Sequence, residues 1–232
     1  GDHVSIRNIT NSFPSKGIEV KSKDFNGNML CGNTGDWVVA SSPGRAWNAF
    51  GVNGVIVPLP DYIDNVESSS LKFDLLDQRV AFLERTNVHV IDLVNGRHTF
   101  LPHSSGVREF QFSPTKGILA SVDEREVHIW DLNMDSPLRV STELSAIFPD
   151  SLEFNADGSM LAVGRTSGGI RGEIHVFSVA SGQLVSKPLQ TRGKLLDFTF
   201  LADGSSVIAT CGDRVAMVWA TPTDKKPRVL QL

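Results

Sequence analysis

The stretch of sequence that decides the fold is HSSGVREFQFSPTKGILASVDEREVHIWD, residues 103–131. It holds three apolar runs separated by short polar turns, and a fourth run follows it. The runs are Val107–Phe112, Ile118–Val122, Val127–Leu132 and the residues around Leu138–Thr142. Alternating apolar residues bounded by turn residues are typical of β-strands. The stretch therefore predicts a four-stranded antiparallel meander.

The same pattern recurs along the chain at intervals of about forty residues, a period typical of solenoids, propellers and arrays. One marker in the first strand of each unit is Phe73, Phe112, Phe154 and Phe200. A second marker, near the end of a later strand, is Ile91, Trp130, Phe177 and Trp219. Asp-Gly and Asn-Gly pairs fill the turns, as positive backbone φ requires. In the unit after residues 103–131, the last strand is predicted at Leu184–Leu189.

These residues resemble the WD40 family of β-propellers. The resemblance rests on His103, Phe112-Ser113-Pro114, Ile118–Ser121 and Val127–Asp131, and it extends over residues 69–232 and weakly over 21–62. It implies an all-β propeller of four-stranded antiparallel blades. The departures from the family pattern are Pro102 before His103, and the endings Ile91-Asp92, Phe177-Ser178 and Trp219-Ala220.

About five blades are expected, at residues 22–62, 69–104, 106–145, 150–190 and 193–232. Residues 1–21 form an N-terminal segment in which Val4–Ile9 and Ile18–Val20 could supply an extra propeller strand. The family usually closes its ring with seven blades, so this ring is incomplete, small, or part of a longer propeller. A segment of a larger protein is the favoured interpretation, and open blade edges then predict self-association.

The resemblance also implies a buried hydrogen-bond network that holds the blade together. In the third blade its members are His103, Ser121, Asp123 or Glu124, and Trp130. In the last blade only Asp213 and Trp219 match, with Cys211 near the serine position. A hydrogen-bonding structural role is preferred to catalysis for His103, because no serine–aspartate pattern for nucleophilic chemistry accompanies it.

Arginines recur in the turns between the second and third strands of successive units, at Arg45, Arg85, Arg125, Arg165 or Arg171, and Arg214. In a propeller such turns share one face, and converging guanidinium groups suit carboxylates or phosphates. They therefore predict a docking surface for an acidic or phosphorylated peptide. The alternative, favoured about two to one, is local pairing with neighbours such as Glu84, Glu124, Glu173 and Asp213.

Composition excludes several classes of function. The net charge of −4 disfavours general nucleic-acid binding, and no apolar run reaches the ~18 residues that would span a bilayer. Two cysteines without metal spacing point to a reducing compartment, the cytoplasm or the nucleus. Neither the acidic group Asp61, Asp64 and Glu67 nor the pair Asp74 and Asp77 has the spacing of a calcium loop. No catalytic, cofactor-binding or metal-binding residues are predicted.

The sequence therefore predicts a non-enzymatic scaffold whose loops bind a protein or peptide partner. The alternative is a regulatory or sensing propeller segment of a larger multidomain protein. A propeller hydrolase or lectin is a third and weaker alternative, because it would need a polar cluster in the central channel.

Overall fold

The computed structural model describes residues 3–5, 19–21, 29–40, 47–60, 70–74, 76, 78–84, 86–115, 117–144, 148–166, 171–212, 214–220 and 226–231. All the regular elements in this part of the chain are β-strands, and the chain divides into two compact units. The first comprises residues 1–84 and 88–100, and the second comprises residues 85–87 and 101–232. In the described ranges no helix has the length and apolar character needed to cross a membrane.

The first unit contains a strand pair and two four-stranded sheets. Strands β1 (His3–Ser5) and β2 (Glu19–Lys21) pair antiparallel. Blade 1 consists of β3 (Met29–Cys31), β4 (Trp37–Ala40), β5 (Asn48–Gly51) and β6 (Ile56–Pro58). Blade 2 consists of β7 (Lys72–Phe73), β8 (Arg79–Glu84), β9 (Asn87–Asp92) and β10 (His98–Leu101).

The second unit contains three further sheets of the same strand order. Blade 3 consists of β11 (Glu109–Phe112), β12 (Ile118–Val122), β13 (Glu126–Asp131) and β14 (Leu138–Glu143). Blade 4 consists of β15 (Ser151–Phe154), β16 (Met160–Gly164), β17 (Glu173–Ser178) and β18 (Leu189–Gln190). Blade 5 consists of β19 (Leu195–Phe200), β20 (Ser206–Cys211), β21 (Val215–Ala220) and β22 (Arg228–Gln231). The predicted architecture of about five four-stranded antiparallel blades is confirmed.

Both marker series of the sequence occupy a single row across each blade of the second unit. In blade 3 Phe112 lies opposite Leu119, which lies opposite Trp130. The equivalent rows are Phe154–Leu161–Phe177 in blade 4 and Phe200–Val207–Trp219 in blade 5. Directly opposed side chains on one face of a sheet touch each other, so the residues of each row stabilise their blade by packing across its strands.

Core residues of one blade pack against those of the next within the second unit. One apolar cluster joins Val122 and Ile129 of blade 3 to Leu161 and Val163 of blade 4. Another joins Val176 of blade 4 to residues of blade 5 such as Leu195, Phe198 and Met217. In the first unit the equivalent cluster includes Trp47, Phe82 and Ile91. The blades are therefore held mainly by apolar burial between sheets.

The outer strand of blade 4 differs from the prediction. The structure has a strand only at Leu189–Gln190, with an isolated bridge between Leu184 and Phe177 in place of a strand over 184–189. Pro188 lacks an N–H to donate to a ladder, and the Ser186 hydroxyl bonds the Lys187 carbonyl instead. These two features interrupt the pairing that the apolar residues Leu184, Val185 and Leu189 suggested.

Candidate functional site: the arginine side of blades 3–5

The turns between the second and third strands of blades 3–5 lie on one side of the second unit. The segments that connect successive blades hydrogen-bond to these turns and hold them together. After blade 3, the N–H of Leu144 donates to the carbonyl of Arg125, and Asp150 Oδ1 accepts from the N–H of Thr166 at 2.6 Å. After blade 4, Thr191 Oγ1 accepts from the N–H of Gly172, and the carbonyl of Lys194 accepts from Gly212. We call this surface the arginine side; its described residues are 123–125, 165, 166, 171, 172, 212 and 214, with the connections that bond to them.

Three arginines of this surface are exposed, and a fourth is half-buried. Arg125, Arg171 and Arg214 are exposed, whereas Arg165 is half-buried with its guanidinium carbon 6.0 Å from the centre of the Phe148 ring. Arg45 and Arg85 lie outside the described residues. The structure thus places four of the six predicted arginines on one side of one unit, in the turns where the sequence put them.

The carboxylates expected to neutralise these arginines are engaged elsewhere. Glu124 Oε1 lies 3.1 Å from an Arg108 guanidinium nitrogen, and Glu173 Oε1 lies 2.7 Å from His175 Nε2. Glu84 Oε2 lies 3.2 Å from His89 Nε2, and Asp213 lies outside the described residues. In the part of the chain that is described, no carboxylate lies within ion-pair distance of the guanidinium groups of Arg125, Arg165, Arg171 or Arg214.

Two residues of this side adopt left-handed backbone conformations that non-glycine residues rarely occupy. Arg214 has φ 61° and Phe148 has φ 47°. Such conformations cost about 1–3 kcal/mol and persist only where the surrounding structure enforces them. The Phe148 side chain is 51% exposed. The fold therefore holds an aromatic ring and a guanidinium group toward solvent at a conformational cost.

Four groups form a directional hydrogen-bond chain that runs from the carbonyl at the end of β10 to blade 3. Trp130 Nε1 donates to Ser121 Oγ at 2.8 Å, and Ser121 Oγ lies 2.7 Å from His103 Nε2. His103 Nδ1 lies 2.9 Å from the Leu101 carbonyl, which can only accept, so Nδ1 carries the proton. Nε2 of the neutral ring is then an acceptor, and the Ser121 hydroxyl donates to it. Burial lowers the pKa of His103 to about 4, which keeps this ring neutral.

Asp123 anchors the turn that carries Arg125. Its Oδ1 accepts the N–H groups of Arg125 at 2.9 Å and Glu126 at 2.8 Å. Its side chain is fully buried, and burial alone would raise the pKa of this carboxyl. The two backbone N–H groups, together with the nearby His128, outweigh that effect, so the pKa of Asp123 is lowered. In blade 5 Trp219 and Cys211 are buried, and Asp213 lies outside the described residues.

Comparison with known proteins agrees with this geometry. The family model described as "WD domain, G-beta repeat" matches residues 96–131. Residues 96–131 are therefore similar to a WD repeat. No curated protein matches the chain at the level of sequence. Among solved structures, the β-propeller domain of Myceliophteria thermophila Cps50 (Swd1) is similar over 90% of this chain and 72% of that one, with a TM-score of 0.59 and 13% identity. The likeness shows the β-propeller fold, and WD40 propellers generally mediate protein–protein interactions without catalysis.

Blades 2, 3 and 4 also share a histidine series that was not predicted from the sequence. His128 lies two residues before the marker Trp130, and His89 and His175 hold the equivalent positions in β9 and β17. All three are buried, at 4%, 5% and 7% exposure. The signal was present in the sequence as Val-His-Val-Ile, Val-His-Ile-Trp and Ile-His-Val-Phe. A histidine inside an apolar strand looked unremarkable in each unit alone, and only their common position reveals the series.

Proposed function

We propose that this chain is a non-catalytic interaction scaffold whose arginine side binds an acidic or phosphorylated segment of a protein partner. The observation that carries the proposal is the set of exposed guanidinium groups at Arg125, Arg171 and Arg214, for which the described residues provide no carboxylate. Exposed, uncompensated arginines on one side of a unit suit bidentate recognition of carboxylate or phosphate groups.

The charge around these arginines supports the same proposal. Exposed Arg192 and Lys194 lie in the connection that hydrogen-bonds the turns of blades 4 and 5, so they add positive charge to this side. The chain as a whole carries a net charge of −4. A positive surface on an acidic chain steers an acidic partner toward itself and repels it from the remaining surface.

Phe148 gives this surface an apolar contact beside the charged ones. Its ring is half-exposed and has Arg165 over one face. Aromatic and arginine side chains dominate the binding energy of protein interfaces, whereas isolated charges contribute mainly to the association rate. We expect an apolar residue next to the acidic group of the partner to contact this ring.

The second candidate function is a regulatory or sensing segment of a larger polypeptide. The described cysteines are free, with Cys211 buried and Cys31 exposed. Both candidates use the arginine side for binding and differ in what the chain is attached to.

Charge reversal tests the proposal directly. Acidic and phosphoserine-containing peptides would be titrated against the chain at low and high salt, with binding followed by fluorescence anisotropy. The double variant Arg125→Glu, Arg214→Glu should bind at least tenfold more weakly, since a charge-assisted hydrogen bond contributes about 1.5–3 kcal/mol. The control is Arg228→Glu, an exposed arginine at the start of β22. Equal binding by the double variant and the control, or no binding by the wild-type chain, would contradict the proposal.

A further inference from the structure

We propose that Asp123, Glu126 and His128 of blade 3, with the hydroxyl of Ser104, form a binding site for a divalent transition-metal ion, with Zn²⁺ as the best-fitting ion. The side-chain ligand atoms of Asp123, Glu126 and His128 all lie within 4.8 Å of one another. One imidazole and two carboxylates are a ligand set that zinc accepts in proteins. This site is separate from the arginine-mediated binding proposed above and does not depend on it.

His128 is the residue that points to a ligand. It is 5% exposed, and Nε2 is the ring nitrogen that faces the two carboxylates. Its Nε2 lies 3.5 Å from Asp123 Oδ2 and 3.7 Å from Glu126 Oε2. Both distances exceed the 2.7–3.2 Å typical of N–H···O hydrogen bonds. A buried ring therefore directs Nε2 between two carboxylates, with a long hydrogen bond to Asp123 and a longer contact to Glu126.

The spacing of the four groups fits a tetrahedron around a metal ion. With metal–ligand distances of about 2.0–2.2 Å, the edges of such a tetrahedron are about 3.3–3.6 Å long. The Ser104 hydroxyl lies 3.3 Å from Asp123 Oδ2 and 3.4 Å from Glu126 Oε2. With the two contacts of His128, four of the six edges have the expected length to within about 0.1 Å. The ligand atoms of Asp123, Glu126 and His128 span up to 4.8 Å, so an ion would draw the two carboxylates closer together. A water molecule bound to the ion could take the place of the Ser104 hydroxyl.

Charge balance supports the same assignment. Two carboxylates face a single ring nitrogen, which carries at most one proton and can neutralise only one of them. A dication bound by both carboxylates and a neutral imidazole gives a site with no net charge, which a partly buried location favours. An ion can enter past Ser104, which is exposed, and Glu126, whose side chain is 33% exposed.

The equivalent histidines of the neighbouring blades serve as internal comparisons. His175 Nε2 lies 2.7 Å from Glu173 Oε1, although off the line of a hydrogen bond. His89 Nε2 lies 3.2 Å from Glu84, and its Nδ1 lies 2.9 Å from His98 Nε2. Each of these rings is close to a single carboxylate. The wider three-sided arrangement is found, among the described residues, in blade 3.

A bound ion would fix the turn that carries Arg125 to the connection that carries Ser104. Since binding to the folded chain stabilises it by mass action, ZnCl2 should raise the melting temperature of the EDTA-treated chain by about 5 °C or more once zinc is well above its dissociation constant. MgCl2 should not, because Mg²⁺ prefers octahedral oxygen ligands. Isothermal titration calorimetry should find one zinc ion bound at this site.

The matched variants are Glu126→Gln and Glu173→Gln, which remove equivalent carboxylates at the first positions of β13 and β17. Glu126→Gln should weaken zinc binding by at least about tenfold, and Glu173→Gln should leave it unchanged. His128→Phe keeps a ring to stack on Trp130 and should also abolish binding, whereas His175→Phe should not. Circular dichroism in EDTA verifies that each variant folds. Equal zinc affinity in the Glu126 and Glu173 variants, an equal shift with MgCl2, or no shift with ZnCl2 would overturn the proposal.

Discussion

Ser121→Ala should destabilise the chain far more than its size suggests. Ser121 is fully buried, and its Oγ is the shared partner of Trp130 Nε1 and His103 Nε2. The substitution leaves both nitrogens without that partner, and each buried polar group left unsatisfied costs about 1–3 kcal/mol. We therefore expect a loss of about 2–4 kcal/mol in the free energy of unfolding, measured by urea denaturation with tryptophan fluorescence and circular dichroism.

The matched control for this prediction is Ser141→Ala in the outer strand β14. Ser141 is exposed, and its hydroxyl donates to Glu126 at 3.3 Å. Exposed polar substitutions of this kind usually change stability by no more than about 0.5 kcal/mol. If Ser121→Ala shifted the denaturation midpoint no further than Ser141→Ala does, the hydrogen-bond chain would not contribute to stability and the reasoning would be refuted.

Two further predictions concern protonation and backbone conformation. Because the folded pKa of His103 is about 4 and the unfolded value about 6.5, the unfolded chain takes up a proton that the folded chain resists. The free energy of unfolding should therefore fall as the pH drops from about 6.5 to 4. His103→Gln should make the urea midpoint less sensitive to pH in this window. Equal sensitivity in the wild-type chain and the variant would contradict this prediction. Separately, Gly182→Ala should cost about 2–4 kcal/mol, because at φ 67° its Cβ would overlap the Val140 side chain. Gly204→Ala, at φ 70° with its nearest neighbour 3.8 Å away, should cost only about 1–2 kcal/mol in the same assay, and equal costs would refute the overlap.

The sequence predicted the blades well because their markers are repeated apolar residues. Phe112 and Trp130 are both buried and lie in one row through Leu119, so burial and register enforce the same spacing that the sequence shows. Alternation of apolar residues is a direct consequence of the two-residue period of a strand. Prediction of this part of the fold needed no knowledge of contacts between blades.

The remaining errors arise where local chemistry overrides the apolar pattern. Leu184–Leu189 is apolar enough for a strand, but Pro188 and the Ser186 hydroxyl interrupt its pairing. The first strand of blade 1, Met29–Cys31, is short and lies between glycine- and asparagine-rich segments, so it resembles a loop in sequence. Both cases depend on hydrogen bonds that composition does not reveal.

The candidate sites could be predicted only in part. The arginine positions follow from the repeat, because each lies in the turn between the second and third predicted strands of its unit. The environment of each arginine does not, since the sequence offered Glu124 as a partner for Arg125, whereas the structure pairs it with Arg108. The grouping of Asp123, Glu126 and His128 was missed because it depends on a turn that folds the first residue back toward the third.

The rows across the blades have a consequence for protein engineering. Leu161 and Phe177 stay opposite each other although the segment that joins β16 to β17 is longer than its counterparts in blades 3 and 5. The alignment of the two strands is set by their paired side chains, and a longer loop adds little closure entropy. A peptide tag or reporter inserted between Arg165 and Arg171 should leave the blade intact, which makes this turn a suitable position for grafting foreign sequence onto the propeller.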